Sequence, residues 1–179
     1  MARTIHNDEA RYRSAYFSTY PGYYASGDGA LRDSDGFYQV TGRTDDVINT
    51  AGHRLSTSEI ENIISKNKNV AEVAVIGADD QVKGAVPMVF VILKSMEEPK
   101  LSVADIKINL LDEVTSSIGK WALPSKIIIC DVLPKTRSGK IMRRVLRNIA
   151  NSSEEFGDVS VMADTDNLNH VIQRFKAEK

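Results

Sequence analysis

Along this chain the apolar positions recur at two spacings, and the switches between them divide it into elements. Behind Ser56-Thr57-Ser58-Glu59, which has capping-box spacing, Ile60, Ile63 and Ile64 line one face of a helix that should end near Asn67. Val70 to Ile76 and Val86 to Leu93 are continuous runs rich in β-branched residues, separated by a polar, Gly-containing loop. Such runs predict paired, largely buried strands. Ser102-Val103-Ala104-Asp105 repeats the capping logic, and Val103, Ile106, Leu110, Leu111, Val114 and Ile118 follow at helical spacing. Ile127 to Val132 is then a strand, Pro134 to Lys140 a loop and Ile141 to Ala150 a basic helix. The order helix, strand, strand, helix, strand, helix predicts a small α+β domain from about Asp46 to Ala150.

The flanks are less regular. Met1 to about Thr19 shows no clear period and is expected to be a poorly defined arm. Ala30-Leu31-Arg32 and Phe37-Tyr38-Gln39-Val40 flank the turn residues Asp33-Ser34-Asp35-Gly36, which predicts a hairpin. After Asn151 the chain turns polar and acidic, and Leu168 to Lys179 is expected to add a last helix.

Bulk properties narrow the classes. The 179 residues fit one compact domain with a flanking arm. With 42% hydrophobic and 26% charged residues, and no apolar run near the roughly 20 residues that span a bilayer, the composition predicts a globular protein off the membrane. The start lacks the apolar stretch of a signal peptide, and Cys130 has no second cysteine to pair with. A reducing intracellular compartment such as the cytoplasm is expected. A net charge of −1 gives no overall basic field for nucleic acid or anionic lipid, so any such binding must come from a local patch.

Three stretches carry candidate chemistry. Leu133-Pro134-Lys135-Thr136-Arg137-Ser138-Gly139-Lys140-Ile141, followed by Arg143, Arg144 and Arg147, places a lysine on a Gly-containing loop before a helix, where it can reach a phosphate or carboxylate. A solvated basic loop accounts for the same residues. A P-loop does not, because Pro134 stands at the first glycine and Ile141 replaces the Ser/Thr. A nucleic-acid helix would want aromatic interleaving that is missing. In Gly22-Tyr23-Tyr24-Ala25-Ser26-Gly27-Asp28-Gly29 a carboxylate beside glycines can accept from a ribose diol, or be only a turn. In Thr41-Gly42-Arg43-Thr44-Asp45-Asp46-Val47-Ile48-Asn49-Thr50-Ala51-Gly52-His53-Arg54-Leu55, Arg43 can reinforce that contact or approach a phosphate, or belong to a surface charge cluster.

Together, in this order and spacing, the three stretches closely resemble the adenylate-forming superfamily, and in particular the acetate-activating branch of its AMP-forming acyl-CoA synthetases. The resemblance runs from roughly Tyr20 to Ala150. It implies formation of acyl-CoA from a short-chain carboxylic acid, ATP and CoA through an acyl-adenylate, with AMP and pyrophosphate released. It also implies a large N-terminal domain, the missing partner, and a small C-terminal lid that swings between two poses. On this basis residues 1–44 are the tail end of the large domain, 45–150 the lid and 151–179 a polar tail. Asp28 matches the residue that binds the ribose hydroxyls and Arg43 the arginine beside it. Asp45 matches the hinge. Ala51 and Gly52 fall in the loop brought to the CoA thiol arm, and Arg54 matches an arginine reaching the ATP phosphates. Lys140 matches the lysine that bridges the attacking carboxylate and the α-phosphate.

The chain departs from the family pattern in several places. Ala51 stands where acetate-specific members often have serine, and Thr115 where close relatives have a basic residue at the CoA nucleotide. Trp121 replaces a smaller residue or proline. Asn67 replaces a histidine of a structural Mg2+ site, which with Ser65 and Val70 would be formed here from carbonyl groups. His53 is expected to be a loop or packing residue. Lys83-Gly84, expected as a loop, keeps propionate as an alternative acid. The phosphate loop and acyl pocket of the large domain are not among these residues, so the chain is expected to be an inactive part of a longer enzyme. The competing expectations are a free-standing, non-catalytic binding module and, last, a nucleic-acid module on Lys135 to Arg147.

Overall fold

A computed structural model describes residues 3–95, 101–153 and 155–178. The chain divides into two compact units, Met1–Asp45 and Asp46–Lys179.

The first unit opens with a helix the apolar pattern does not reveal. Helix α1 (Glu9–Phe17) is capped by Asp8, whose carboxylate accepts from the Arg11 N–H at 3.0 Å. Aromatic packing replaces an apolar stripe: Tyr12 is buried, Tyr16 stacks on Tyr24 at 4.8 Å, and Phe17 meets Tyr12 edge-on at 5.5 Å. Strands β1 (Asp28–Arg32) and β2 (Tyr38–Arg43) form the expected hairpin. Asp33 shapes its turn by accepting from the N–H groups of Asp35 and Phe37 at 3.0 and 2.8 Å.

The second unit is built on a five-stranded sheet. Strands β3 (Val47–Thr50) and β4 (His53–Ser56) form a hairpin, helix α2 (Thr57–Ser65) follows, and β5 (Val70–Asp80) and β6 (Gly84–Leu93) pair antiparallel. Helix α3 (Val103–Ser117) and a 3-10 turn (Lys120–Ala122) lead to β7 (Lys126–Ile129), then α4 (Arg143–Ala150) and α5 (Asp166–Ala177). One edge of β6 carries β5; the other carries β3 at Gly84 and, in parallel, β7 over Met88–Val91.

The apolar runs of β5 and β6 are continuous because both faces of the sheet are covered. Ala74, Ile76, Met88 and Phe90 face Leu146, Ile149, Val171 and Phe175 of α4 and α5, whereas Val75, Val89 and Val91 face α2 and α3 through Ile60, Ile64, Leu110 and Val114. A fully buried side chain of this size contributes about 1.5–3 kcal/mol, so both layers matter to stability.

Several elements differ from the sequence expectation. The short hairpin β3–β4 lies in the stretch read for its chemistry. Helix α2 stops at Ser65, and Ser56 makes no side-chain cap bond, its hydroxyl lying 2.7 Å from that of Ser58. The Ser102–Asp105 box, by contrast, closes in both directions. Strand β7 ends at Ile129, and α4 begins at Arg143 rather than Ile141. The packed unit also extends beyond Ala150: Met162, Val171 and Phe175 are buried in the core, and α5 is tied down by Arg174 to Asp131 at 2.8 Å and Glu178 to Lys107 at 2.6 Å. Lys179, the end of the expected last helix, and Met1 and Ala2 of the arm lie outside the described residues.

Candidate functional site

In the first unit, antiparallel pairing sets Asp28 at the start of β1 opposite Arg43 at the end of β2. The Arg43 guanidinium is shared. Nη1 lies 3.7 Å from Asp28 and donates to the Ser26 carbonyl at 3.1 Å, while Nε and Nη2 donate to the two Asp45 oxygens at 2.9 and 3.2 Å. Gly27 makes this possible: at φ +80° a Cβ there would stand 3.0 Å from Arg43 Nη2. The half-exposed Asp28 carboxylate is thus an acceptor held beside a cation, the arrangement a vicinal diol can bind. Asp28, Arg43 and Asp45 are brought together within this unit.

In the second unit, β3 and β4 join through Ala51 and Gly52, both at positive φ, +47° and +84°. Such a turn has the backbone twist of a tight hairpin, and the Ala51 N–H donates to the Lys83 carbonyl at 3.0 Å. The chain here presents backbone with little side chain, since a Cβ on Gly52 would meet nothing within 4 Å. His53 follows as the first residue of β4, exposed, with its ring stacked 4.9 Å from that of Trp121. Arg54, paired in register with Asn49, is exposed. Thr115 is half-buried in the last turn of α3.

The basic stretch sorts itself by partner. Lys135 pairs with Glu72 at 2.6 Å, Arg143 with Glu61 at 2.8 Å and Arg147 with Asp46 at 3.1 Å. Arg144 donates to the Asp158 carbonyl at 2.9 Å and Arg137 to that of Ser160 at 3.4 Å. Among the described residues, Lys140 alone in this stretch has an exposed ammonium without a partner. Its loop is well defined. The Thr136 N–H donates to the Lys140 carbonyl and the Gly139 N–H to the Thr136 carbonyl, both at 2.8 Å, and the Met142 N–H closes the loop onto the Pro134 carbonyl at 2.8 Å. The fold therefore fixes the neighbours and leaves one cation for something outside the unit.

Ser65, Asn67 and Val70 surround the turn from α2 into β5. The Asn67 carbonyl accepts from the Val70 N–H at 3.0 Å, and its side-chain oxygen from the Asn69 N–H at 3.0 Å. The Asn67 amide donates to Glu113 Oε1 at 2.7 Å, whereas Glu113 Oε2 is buried without a hydrogen-bond partner among the described residues. A cleft of about 870 Å3 opens over Lys66, Asn67, Asn69 and Glu113. Sequence reasoning missed Glu113 and the ion pairs of Arg143 and Arg147, whose partners lie 46, 82 and 101 residues away along the chain.

Residues 59–140 match the family model of the AMP-binding enzyme C-terminal domain. Over nearly its whole length the chain is similar to acetyl-coenzyme A synthetases. It is 42% identical to acetyl-coenzyme A synthetase 2 of Candida albicans, with 99% of this chain and 26% of that protein covered. It is 46% identical to acetyl-coenzyme A synthetase 1 of Saccharomyces cerevisiae, over 98% of this chain and 25% of that protein. For the Phycomyces blakesleeanus acetyl-coenzyme A synthetase the identity is 49%, over 92% and 24%. The chain thus spans about a quarter of the length of these relatives. Among solved structures it is similar to the anthranilate CoA ligase AuaEII in complex with anthranoyl-AMP, with TM-score 0.67 and 33% identity over 79% of this chain and 26% of that one. An ATP-bound chimera of RpMatB and BxBclM gives TM-score 0.69 and 27% identity over 82% and 28%.

Proposed function

We propose that this chain is the C-terminal part of an AMP-forming acetate–CoA ligase, which makes acetyl-CoA from acetate, ATP and CoA through an acetyl-adenylate. The large N-terminal domain of the same enzyme supplies the acyl pocket and most of the nucleotide pocket. The named relatives, all of them acetyl-coenzyme A synthetases, support acetate over propionate as the acid. The observation that carries the proposal is Lys140: in a stretch whose other cations are engaged within the unit, it is exposed and unpaired among the described residues.

Adenylation brings an anionic carboxylate against an anionic phosphate, and negative charge concentrates between them as pyrophosphate leaves. A fixed ammonium stabilises that charge, and such preorganised donors are worth about 10²–10³ in rate. Lys140 takes this role, bridging the carboxylate and the α-phosphate. Asp28 accepts from the ribose hydroxyls of ATP or AMP with Arg43 beside it, and Arg54 reaches the phosphates. For the thioester step the lid turns about Asp45, at the edge of the first compact unit, so that residues 1–44 stay with the large domain. The bare backbone at Ala51-Gly52 then lies along the CoA thiol arm, and Thr115 offers the CoA nucleotide a hydroxyl rather than a cation.

Magnesium requires hard oxygen donors, and the α2–β5 turn supplies them. The carbonyls of Ser65, Asn67 and Val70 would hold it, with the Glu113 oxygen that has no partner among the described residues contributing negative charge near Asn67. There it would tie the turn to α3, a structural role.

Assay of the full-length enzyme tests the function. Acetate should support formation of acetyl-CoA with one AMP and one pyrophosphate, in preference to propionate, while the 179-residue chain alone should catalyse no acid-dependent exchange of pyrophosphate into ATP. Exchange by the isolated chain, or a full-length enzyme that activates no short-chain acid, overturns it.

A further inference from the structure

The second unit begins at Asp46, and its first side chain is already clasped. Arg147 Nη2 donates to Asp46 Oδ1 at 3.1 Å, joining residues 101 positions apart. The side chains are 36% and 19% exposed, so the pair is partly withdrawn from solvent, unlike the i,i+4 pair Arg13–Glu9, which is 75% and 53% exposed. Val47 then enters the sheet, and Ile48 is buried in the layer beneath α2 and α3. From Asp46 onward the backbone is anchored.

The residue that clasps Asp46 stands on α4, seven positions beyond Lys140. Helix α4 is itself fixed, by Val145, Leu146 and Ile149 in the core and by Arg143 on Glu61. The Lys140 loop closes onto the start of that helix through the Met142 N–H. One stiff piece therefore carries both the ion pair that receives a rotation and the lysine that the rotation delivers.

We propose that Arg147 is a positioning residue: by holding Asp46 on α4 it makes Asp45 the last residue whose torsions can change without deforming the lid, and it passes that rotation to Lys140. The proposal rests on the acetate–CoA ligase function given above. Without the clasp, Asp46 adds its own torsions to the pivot, and the position of the Lys140 ammonium spreads. Misplacement of a catalytic group by about 1 Å costs on the order of 10²-fold in rate.

The test uses the full-length enzyme and reads the adenylate burst at saturating ATP and acetate. Arg147→Ala and Asp46→Asn should each slow adenylation by about 10- to 100-fold. Thermal unfolding of the lid should shift alike in both, with KM for ATP little changed. Arg147→Lys, which keeps the charge on a similar stem, should recover part of the rate. The decisive readout is the combination with Lys140→Ala: once the ammonium is gone there is nothing left to position, so adding Arg147→Ala should cost no further adenylation. Losses that multiply in the double variant would overturn the proposal, as would an adenylation rate in Arg147→Ala that falls only as far as its folded fraction. If Lys140→Ala by itself leaves adenylation intact, the ligase function assigned to Lys140 fails instead, and the two failures are distinct.

Discussion

Arg143 grips Glu61 through two nitrogens, with Nη2 at 2.8 and 2.9 Å from the carboxylate oxygens and Nε at 3.2 Å, and Glu61 also accepts from the Val75 N–H at 2.9 Å. One carboxylate thereby joins α2, β5 and the first residue of α4. The Glu61 side chain is only 16% exposed, so removing its cation leaves a charge in a place water reaches poorly. Arg143→Ala should destabilise the lid by about 1.5–3 kcal/mol, the range for hydrogen bonds to charged groups. Arg137→Ala, whose 3.4 Å contact to the Ser160 carbonyl lies on the surface, should stay within about 0.5 kcal/mol. Urea unfolding of the two variants checks the contrast; equal effects would mean the Glu61 pair contributes nothing special.

Ala51 holds a left-handed backbone at φ +47° in an exposed turn. A Cβ costs about 1–2 kcal/mol in that conformation, while glycine costs about 0.4–1 kcal/mol through the freer unfolded chain. Ala51→Gly should therefore stabilise the protein by a net of about 0.5–1 kcal/mol. A lower melting temperature for that variant would contradict the strained geometry of the β3–β4 turn.

Cys130 sits in the core layer with Phe175 and Val171, and burial pushes its thiol up to about 12, with the nearby Arg174 only partly offsetting this. Because the thiolate is the reactive form, the folded protein should resist disulfide reagents at pH 8. Reaction should begin when α5 leaves the core. Loss of the α5 ties through Asp131→Asn should hasten it, and rapid labelling of the intact protein would show that α5 does not cover this site.

How far the sequence could be read depends on the range of the interactions involved. Buried strands β5 and β6 and helix α3 were plain, because local periodicity and a Ser102–Asp105 cap encode them directly. Helix α1 was hidden, since its stability comes from contacts among Tyr12, Tyr16, Phe17 and Tyr24 rather than from a stripe. The hairpin β3–β4 has strands of four residues and turns on Ala-Gly, which lacks the usual Asn-Gly signal. After Asn151 the buried Met162, Val171 and Phe175 are scattered among polar residues, so the segment reads as a tail while packing as core. Lys140 stood out by its loop and by family resemblance, but only the folded chain distinguishes it from Lys135, Arg143 and Arg147, because their partners are distant in sequence.

The most direct measurement compares the two half-reactions in full-length enzyme carrying Lys140→Ala. Adenylate burst formation should fall by at least about 10²–10³, because under the proposed function the variant lacks the cation that acts only in that transition state. Thioester formation from supplied acetyl-adenylate and CoA should stay near the wild-type rate, since the lid then presents Ala51-Gly52 instead. Acetylation of Lys140 should give the same split, because it removes the same charge. If both half-reactions fall together, or if neither does, the role of Lys140 is contradicted.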